Sequence, residues 1–332
     1  MFAKPSFLKP KPSPLKPKRT GMTFTFGEIA ENGSMGMEKI GSIGDVDGLK
    51  RKELREVMKL ARERGYTAKM VNLVKKGLGG TEHESHCEPA YVLVIENGCK
   101  FLAQVGASGE FEVPDDFHGA LVAEHDKIES RYNRTELMRG RVKRLQARYK
   151  ICIWEEDQEP DIAAGKGTIV AFDSVPLLKA MQRGIGTLFP RLDGCPAEGN
   201  LYYDLDKCGI GFHGDSERRV VIAGRIVKNV QTEKETFPLR YVFFKNGDPI
   251  GKPVDINLPP GCVYLMSEKA VGWDWRKTKG GLITLRHAAG CDKYTKFPLT
   301  KAQKAEKKRP KASAGAGGAE GVAAAKRVRT VE

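Results

Sequence analysis

Residues 209–219 read GIGFHGDSERR, and two of them, His213 and Asp215, carry side chains that can hold a metal ion. In an extended chain, residues i and i+2 project to the same side. A His-x-Asp step at a strand end therefore aims an imidazole and a carboxylate at one point. Two histidines and one carboxylate on a single face are the donor set of non-haem Fe(II) oxygenases, whose remaining coordination positions stay open for cosubstrate and oxygen. Gly209, Gly211 and Gly214 surround the pair and let backbone and ligands approach closely. Taken alone, the tripeptide also reads as a polar turn with an exposed aspartate.

A third donor has to come from elsewhere. The only histidine after His213 is His287, in TLRHAAG, directly behind Arg286. Neighbours on a regular strand face opposite ways, so these two share a cavity only where a bulge or a strand end intervenes. Near the first pair, Glu217, Arg218 and Arg219 read as ion pairs around a site mouth or as a solvated turn. Trp273 and Trp275 read as packing residues or as a stacking surface for a flat substrate. His83 and His86 sit with Cys87 in TEHESHC, which reads as a polar loop rather than a metal site. His118 and His125 have no visible partners.

These groups need a scaffold. From about Lys150 the chain runs through short β-rich segments: YKICIWE, GTIVAFDSV, NLYYDL, GIGFHGD, RVVIAGRIV, LRYVFFKNGDPIG, CVYLMSE and GLITLRHA. Turn signals separate them, and one helix is expected over Pro176–Leu188. Many short strands at regular spacing favour a sandwich or barrel, here a double-sheet jelly roll. Before it, folded structure is expected from Gly44. Leu54, Val57, Met58 and Ala61 follow the helical rhythm, with Asp45 or Asp47 as cap and Gly65 as stop. AYVLVIENGCKFLAQVG reads as a hairpin around Asn97–Gly98. A helix is expected over much of Ile128–Tyr149. The fold class is therefore α+β. Residues 1–43 form a disordered basic tail, 44–150 an α+β region, 151–298 the jelly-roll domain and 299–332 a second disordered basic tail.

Composition bounds the partners. The chain has 332 residues and a net charge of +14. Residues 1–20 hold six Lys/Arg and no acid, and residues 301–332 hold nine Lys/Arg and three acids. The excess therefore lies mostly in the ends, which carry KKRPK and KRVR, both compatible with nuclear import. Inside the body, Asp126–Lys150 carries nine basic and three acidic residues, and Arg139–Lys150 is dense enough to track phosphates. Nucleic acid is the expected partner of this segment and of the tails. No stretch approaches the roughly 20 apolar residues of a membrane span. The first residues lack the apolar run of a secretory signal. Seven cysteines without a CxxC pair argue against a disulfide framework and fit a reducing compartment, nucleus or cytoplasm.

The motif blocks occur in a telling order. Tyr203, Ile210 and His213–Gly214–Asp215 come first, then Gly261–Ser267, then Thr284–Leu285–Arg286 running into Ala288–Ala289–Gly290. In this combination the segment Gly165–Lys296 resembles the AlkB-like 2-oxoglutarate/Fe(II) dioxygenases. The resemblance implies a double-stranded β-helix that binds Fe(II), 2-oxoglutarate and O2. It implies decarboxylation of the cosubstrate to succinate and hydroxylation of a C–H bond. In that family the bond is often an N-methyl group on a nucleobase, which is flipped out of a duplex, or a methylated protein side chain. His213 and Asp215 match the first two iron ligands. Arg286 matches the arginine that grips 2-oxoglutarate through its planar fork, and Tyr203 matches a tyrosine beside the cosubstrate. The family's second histidine falls where this chain has EKAVGWDWRKTKGG, with Asp274 nearest the position. His287 is the expected third ligand and Asp274 the alternative; a degenerate site, leaving a binding module of the same fold, is the third reading. Lys277 and Lys279 lie where the family has an earlier arginine, which a lysine replaces with less precise geometry.

Overall fold

The computed structural model describes residues 17–33, 36–41, 46–107, 111–230, 236 and 238–308. The chain starts its fold with β1 (Thr20–Phe26), then β2 (Ile29–Glu31), β3 (Lys39–Gly41), α1 (Arg51–Glu63), β4 (Ala68–Asn72), α2 (Leu73–Leu78) and β5 (Tyr91–Ile95). It continues through α3 (Gly98–Gly106), α4 (Phe117–Ile128), β6 (Thr135–Met138), β7 (Arg141–Arg144), β8 (Tyr149–Trp154), β9 (Ile169–Ala171) and α5 (Pro176–Leu188). The strands β10 (Ala197–Tyr202), β11 (Gly209–His213), β12 (Val221–Lys228), β13 (Leu239–Lys245), β14 (Asp248–Ile256) and β15 (Val263–Met266) follow. Last come α6 (Glu268–Val271), β16 (Ile283–Gly290), α7 (Asp292–Thr295) and α8 (Lys301–Lys308). The protein is of the α+β class, as expected. No helix among the described residues is long and apolar enough to cross a membrane.

Two sheets organise the site. The larger has the order β4-β5-β15-β12-β1-β10-β8-β9 and is antiparallel except for β8–β9. The smaller has the order β11-β16-β13-β14. Period-2 alternation splits each strand of the large sheet between two environments. On β1, Met22, Phe24 and Phe26 join the apolar layer with α1, α3, α4 and α5, while Thr23 and Thr25 face a cavity. On β12, Ile222 and Ile226 enter that same layer, while Val221 and Ala223 pack against Leu239, Tyr241 and Leu285 of the small sheet. The space between the sheets is thus apolar at one end and polar at the other.

Several expectations are corrected here. Order begins well before Gly44: β1 lies in the middle of the large sheet, paired with β10 and β12. Its TGMTFTF sequence alternates, and burying three large side chains on one face fixes it as a core strand. The expected boundary at residue 150 is absent, because β8 spans it and β5 pairs with β15 in the same sheet. The described residues up to Pro298 form one compact unit. In a second unit, residues 301–308 of the expected C-terminal tail form the helix α8. Tail residues 1–16, 34–35, 42–43 and 309–332 lie outside the described residues.

Two local readings change as well. Asn97 takes a left-handed φ of 50°, but the chain after it coils into α3 instead of returning as a strand. Cys99, Phe101, Leu102 and Ala103 bury that helix, so packing overrides the turn signal. Ile128–Tyr149 is not a helix either. Its middle is the hairpin β6–β7, exposed along β7 and closed by Arg139 at φ 52° and Gly140 at φ 71°. Positive φ at both central residues is the two-residue turn that matches strand twist, and Gly140 supplies it without strain. The predicted helix at Pro176–Leu188 is α5, with Pro176 in its first turn. The α1 helix buries Leu54, Val57 and Ala61 as the rhythm required. Its cap is Lys50, whose N–H donates to the Glu53 carboxylate at 2.8 Å. Of the two expected caps, Asp47 is not used and Asp45 lies outside the described residues.

Candidate metal centre

The polar end of the inter-sheet space is a cavity of about 110 Å³. That is room for a small organic acid rather than a single water. His213 and His287 enter it as cross-strand partners. β11 and β16 are antiparallel, and the register places His213 directly opposite His287, with a bulge between Ile210 and His213. Directly opposed residues bring their side chains together, and the two ring centroids lie 4.5 Å apart. The bulge also turns Ile210 and His213 to the same side, so both line the cavity.

Asp215 completes the group from the loop after β11. Its N–H donates to the Val271 carbonyl at 3.1 Å, which ties that loop to the end of α6. Gly214 makes the tie possible. A Cβ there would meet the Gly272 carbonyl oxygen at 2.1 Å and Trp275 at 2.8 Å. Asp215 Oδ1 lies 3.5 Å from His213 Nε2 and 3.8 Å from His287 Nε2. One ligand atom from each residue falls within 4.8 Å of the others.

Protonation suits a cation. The Gly211 carbonyl can only accept, so His213 Nδ1, 2.8 Å away, carries the proton and leaves the Nε2 lone pair free. Burial, reinforced by Arg148, lowers His213 to about 4. Burial, then His213 itself, lowers His287 to about 3. Both rings are therefore neutral near pH 7. Burial and the neighbouring Asp215 push Glu217 up to about 7.

The rest of the cavity wall carries both signs of charge, with Glu31, Glu198 and Glu217 beside its arginines and lysine. Arg148, Lys150 and Arg225 line it, with Thr23, Thr25, Asn200, Tyr202 and Tyr264. Arg225 is 1% exposed. It stands opposite Thr23 in the β1–β12 register. Thr23 Oγ1 is buried and finds no hydrogen-bond partner among the described residues. Glu198 is the hub of a buried network. Its carboxylate accepts from Arg218 Nη2 at 2.5 Å and from Asn200 Nδ2 at 3.0 Å, and lies 3.6 Å from Lys150 Nζ. Burial alone would raise Glu198, but Lys150 and Arg218 outweigh it and hold the carboxyl well below the usual range.

The sequence expectations divide at this point. His213, Asp215 and His287 are brought together. Asp274 is not: it is buried in an ion pair with Lys269 Nζ at 2.7 Å. Arg286 does not enter the cavity. Its guanidinium lies 4.0 Å from the Phe244 ring centroid and 5.2 Å from that of Trp275, on the other face of β16 from His287. Strand alternation separates the two, because β16 stays regular through this stretch and pairs residue by residue with β13. Tyr203 also points elsewhere, stacking on Tyr149 and donating to the Gln146 carbonyl at 2.7 Å, while its neighbour Tyr202 lines the cavity. Trp273 is covered by Arg219 and Lys277, so it packs on cations. Arg218, one of the residues read as ion pairs at the site mouth, is paired with Glu198 and stands beside Asp215. The residues that sequence reasoning missed are Glu198 and Arg225. A signal existed for Arg225: a lone arginine inside the apolar run VVIAGRIV must be buried and therefore paired.

Comparison with known proteins adds no chemistry. No protein-family model matches the chain. It is 34% identical over 275 residues to the "Uncharacterized protein R156" of Acanthamoeba polyphaga mimivirus, covering 83% of this chain and 97% of that protein. At that identity, and over nearly the whole of the viral protein, the chain belongs to the same family as mimivirus R156.

Proposed function

We propose that this protein is an AlkB-like oxygenase that uses Fe(II), 2-oxoglutarate and O2 to hydroxylate or demethylate a nucleic-acid base. The observation that carries the proposal is the convergence of His213, Asp215 and His287 on one point of a cavity wall. Two imidazole nitrogens and one carboxylate, with space on the remaining side, are the facial donor set of non-haem Fe(II) oxygenases. Once bound, the ferrous ion and its cosubstrate supply the oxidation of a C–H bond. The chain's own residues hold and orient. Gly211 fixes the His213 tautomer, and Asp215 offsets part of the metal charge. Arg225, with Thr23 beside it, offers a buried cation and a hydroxyl to a carboxylate, in place of the expected Arg286 and Tyr203.

The fold supports the same reading. From β10 to β16 the chain alternates between facing sheets: large, small, large, small twice, large, small. That path fits a double-sheet roll of the expected kind, with the N-terminal β1 inserted between β10 and β12. The nucleic-acid part rests on the β6–β7 hairpin. All four β7 residues, Arg141–Arg144, are exposed. Arg144 shares a surface recess with Arg148 and Lys150, which also line the metal cavity. Phosphates on that ribbon would bring a base towards the cavity.

The test is succinate formation from 2-oxoglutarate with added Fe(II), with and without methylated single-stranded oligonucleotides, in wild type and His213→Ala. Metal-dependent turnover that the variant lacks is expected, stimulated by the oligonucleotide. Equal turnover in wild type and variant would overturn the oxygenase reading. Turnover indifferent to nucleic acid would shift the substrate to a protein side chain or small molecule.

A further inference from the structure

The two oxygens of Asp215 are divided between different neighbours. Oδ1 faces the imidazoles, 3.5 Å from His213 Nε2 and 3.8 Å from His287 Nε2. Oδ2 lies 3.7 Å from Arg218 Nε. Arg218 is a buried side chain, and neither its Nε nor its Nη1 makes a hydrogen bond among the described residues. Nη2 is held by Glu198 at 2.5 Å, and Glu217 stands 3.7 Å away. Glu198 is itself fixed from three more sides, by Asn200 Nδ2 at 3.0 Å, the Glu31 N–H at 3.3 Å and Lys150 Nζ at 3.6 Å. The guanidinium thus cannot drift from its place beside Oδ2 without breaking a buried, multiply bonded network.

We propose that Arg218, anchored by Glu198, is a positioning residue that keeps Asp215 a one-oxygen metal ligand. This rests on the metal reading given above. A carboxylate can take one or two coordination positions on a cation. A fixed positive charge beside Oδ2 competes with the metal for that oxygen, at a distance that also permits a direct hydrogen bond after a small shift. The aspartate then contributes Oδ1 alone, and one more position stays open for an incoming ligand. Partners of this kind, which touch a metal ligand rather than the metal, orient it and tune its affinity. Without Arg218, nothing among the described groups near Oδ2 opposes chelation, since Glu217 is also an acid.

Cobalt(II) added alone to the full-length chain tests this, read by its visible ligand-field spectrum and by competition with a chromophoric chelator. Wild type is expected to bind one equivalent and His213→Ala none. Arg218→Met removes the charge but strands Glu198, so it is paired with Glu198→Gln in a double variant whose fold is checked by circular dichroism. The double variant is expected to show a shifted cobalt spectrum, as Oδ2 becomes free to chelate, and an affinity changed by roughly tenfold or more, the scale for outer-shell partners. Glu198→Gln alone, which leaves Arg218 present but loosened, is expected to shift the spectrum in the same direction by less. Arg218→Lys, which keeps the charge, is expected to restore the wild-type spectrum in part. A folded double variant with unchanged spectrum and affinity would overturn the role of Arg218 while leaving the metal site standing. Absence of cobalt binding by wild type would overturn both.

Discussion

His287 and Arg286 are chain neighbours that leave β16 on opposite faces. His287 meets His213 across the β11–β16 pair, whereas Arg286 lies over Phe244 and beside Trp275. The division of labour between these two residues, and between Arg286 and Arg225, can be measured. Arg225→Met is expected to weaken binding of 2-oxoglutarate or a non-reactive analogue at least tenfold. Arg286→Met should leave it within about twofold and instead cost about 0.5–2 kcal/mol of stability through lost cation–π contacts. Calorimetric titration of both variants decides, and the reverse pattern would restore Arg286 as the cosubstrate anchor.

Metal ligation separates in the same way. His213→Ala and His287→Ala should each abolish stoichiometric binding of Fe(II) or a substitute ion, measured by equilibrium dialysis. Asp274→Asn should leave that binding intact. It should still destabilise the fold, by about 3–5 kcal/mol, because Lys269 loses its partner in a buried pair. Metal loss in the Asp274 variant at full stability would return that residue to the candidate ligands.

The β6–β7 ribbon makes an ionic-strength prediction. Replacing Arg141, Lys143 and Arg144 by Gln should reduce the slope of log affinity against log salt for a single-stranded oligonucleotide by about 2, at roughly 0.7 per phosphate contact. These residues are fully on the surface, so thermal stability should hold. An unchanged slope would remove the hairpin from nucleic-acid binding.

Acid stability should carry the signature of His125. Burial, aided by Lys228, lowers its folded-state value to about 3, against an ordinary 6.5. The folded protein keeps the ring neutral, while unfolded chains take up a proton below about 6.5. Stability from this group is fully present above 6.5 and falls as the pH drops towards 3. Urea unfolding at pH 7 and pH 5 should therefore show a loss that shrinks in His125→Phe. An identical pH dependence in the variant would mean that the acid sensitivity comes from other groups.

The placement of β1 has a direct energetic test. Phe24 is 1% exposed between the large sheet and α4. Phe24→Ala should cost about 3–5 kcal/mol, as a large-to-small change in a packed core does. A stability change under 1 kcal/mol in chemical denaturation would be what a tail residue gives, and would contradict the strand.

Residue type and local spacing were enough for some of this. The His213–Asp215 step, the strand succession after Lys150, the α5 helix and the apolar face of α1 were legible, because each depends on residues within a few positions of one another. The same was true of β1 in principle, since Met22, Phe24 and Phe26 alternate with threonines; the lysines and prolines before it masked the pattern. Local signals failed where packing decided between two compatible conformations. Asn97–Gly98 could close a hairpin or precede a helix, and Arg139–Gly140 could weaken a helix or turn a ribbon. What the sequence by itself determined is therefore the chemical inventory and most of the strands. Only the tertiary structure decided that His287 rather than Asp274 joins His213 and Asp215, and that Arg225 rather than Arg286 faces the cavity. Both outcomes follow from strand register and from which face each side chain takes, and a register is set by pairing between segments far apart in the chain.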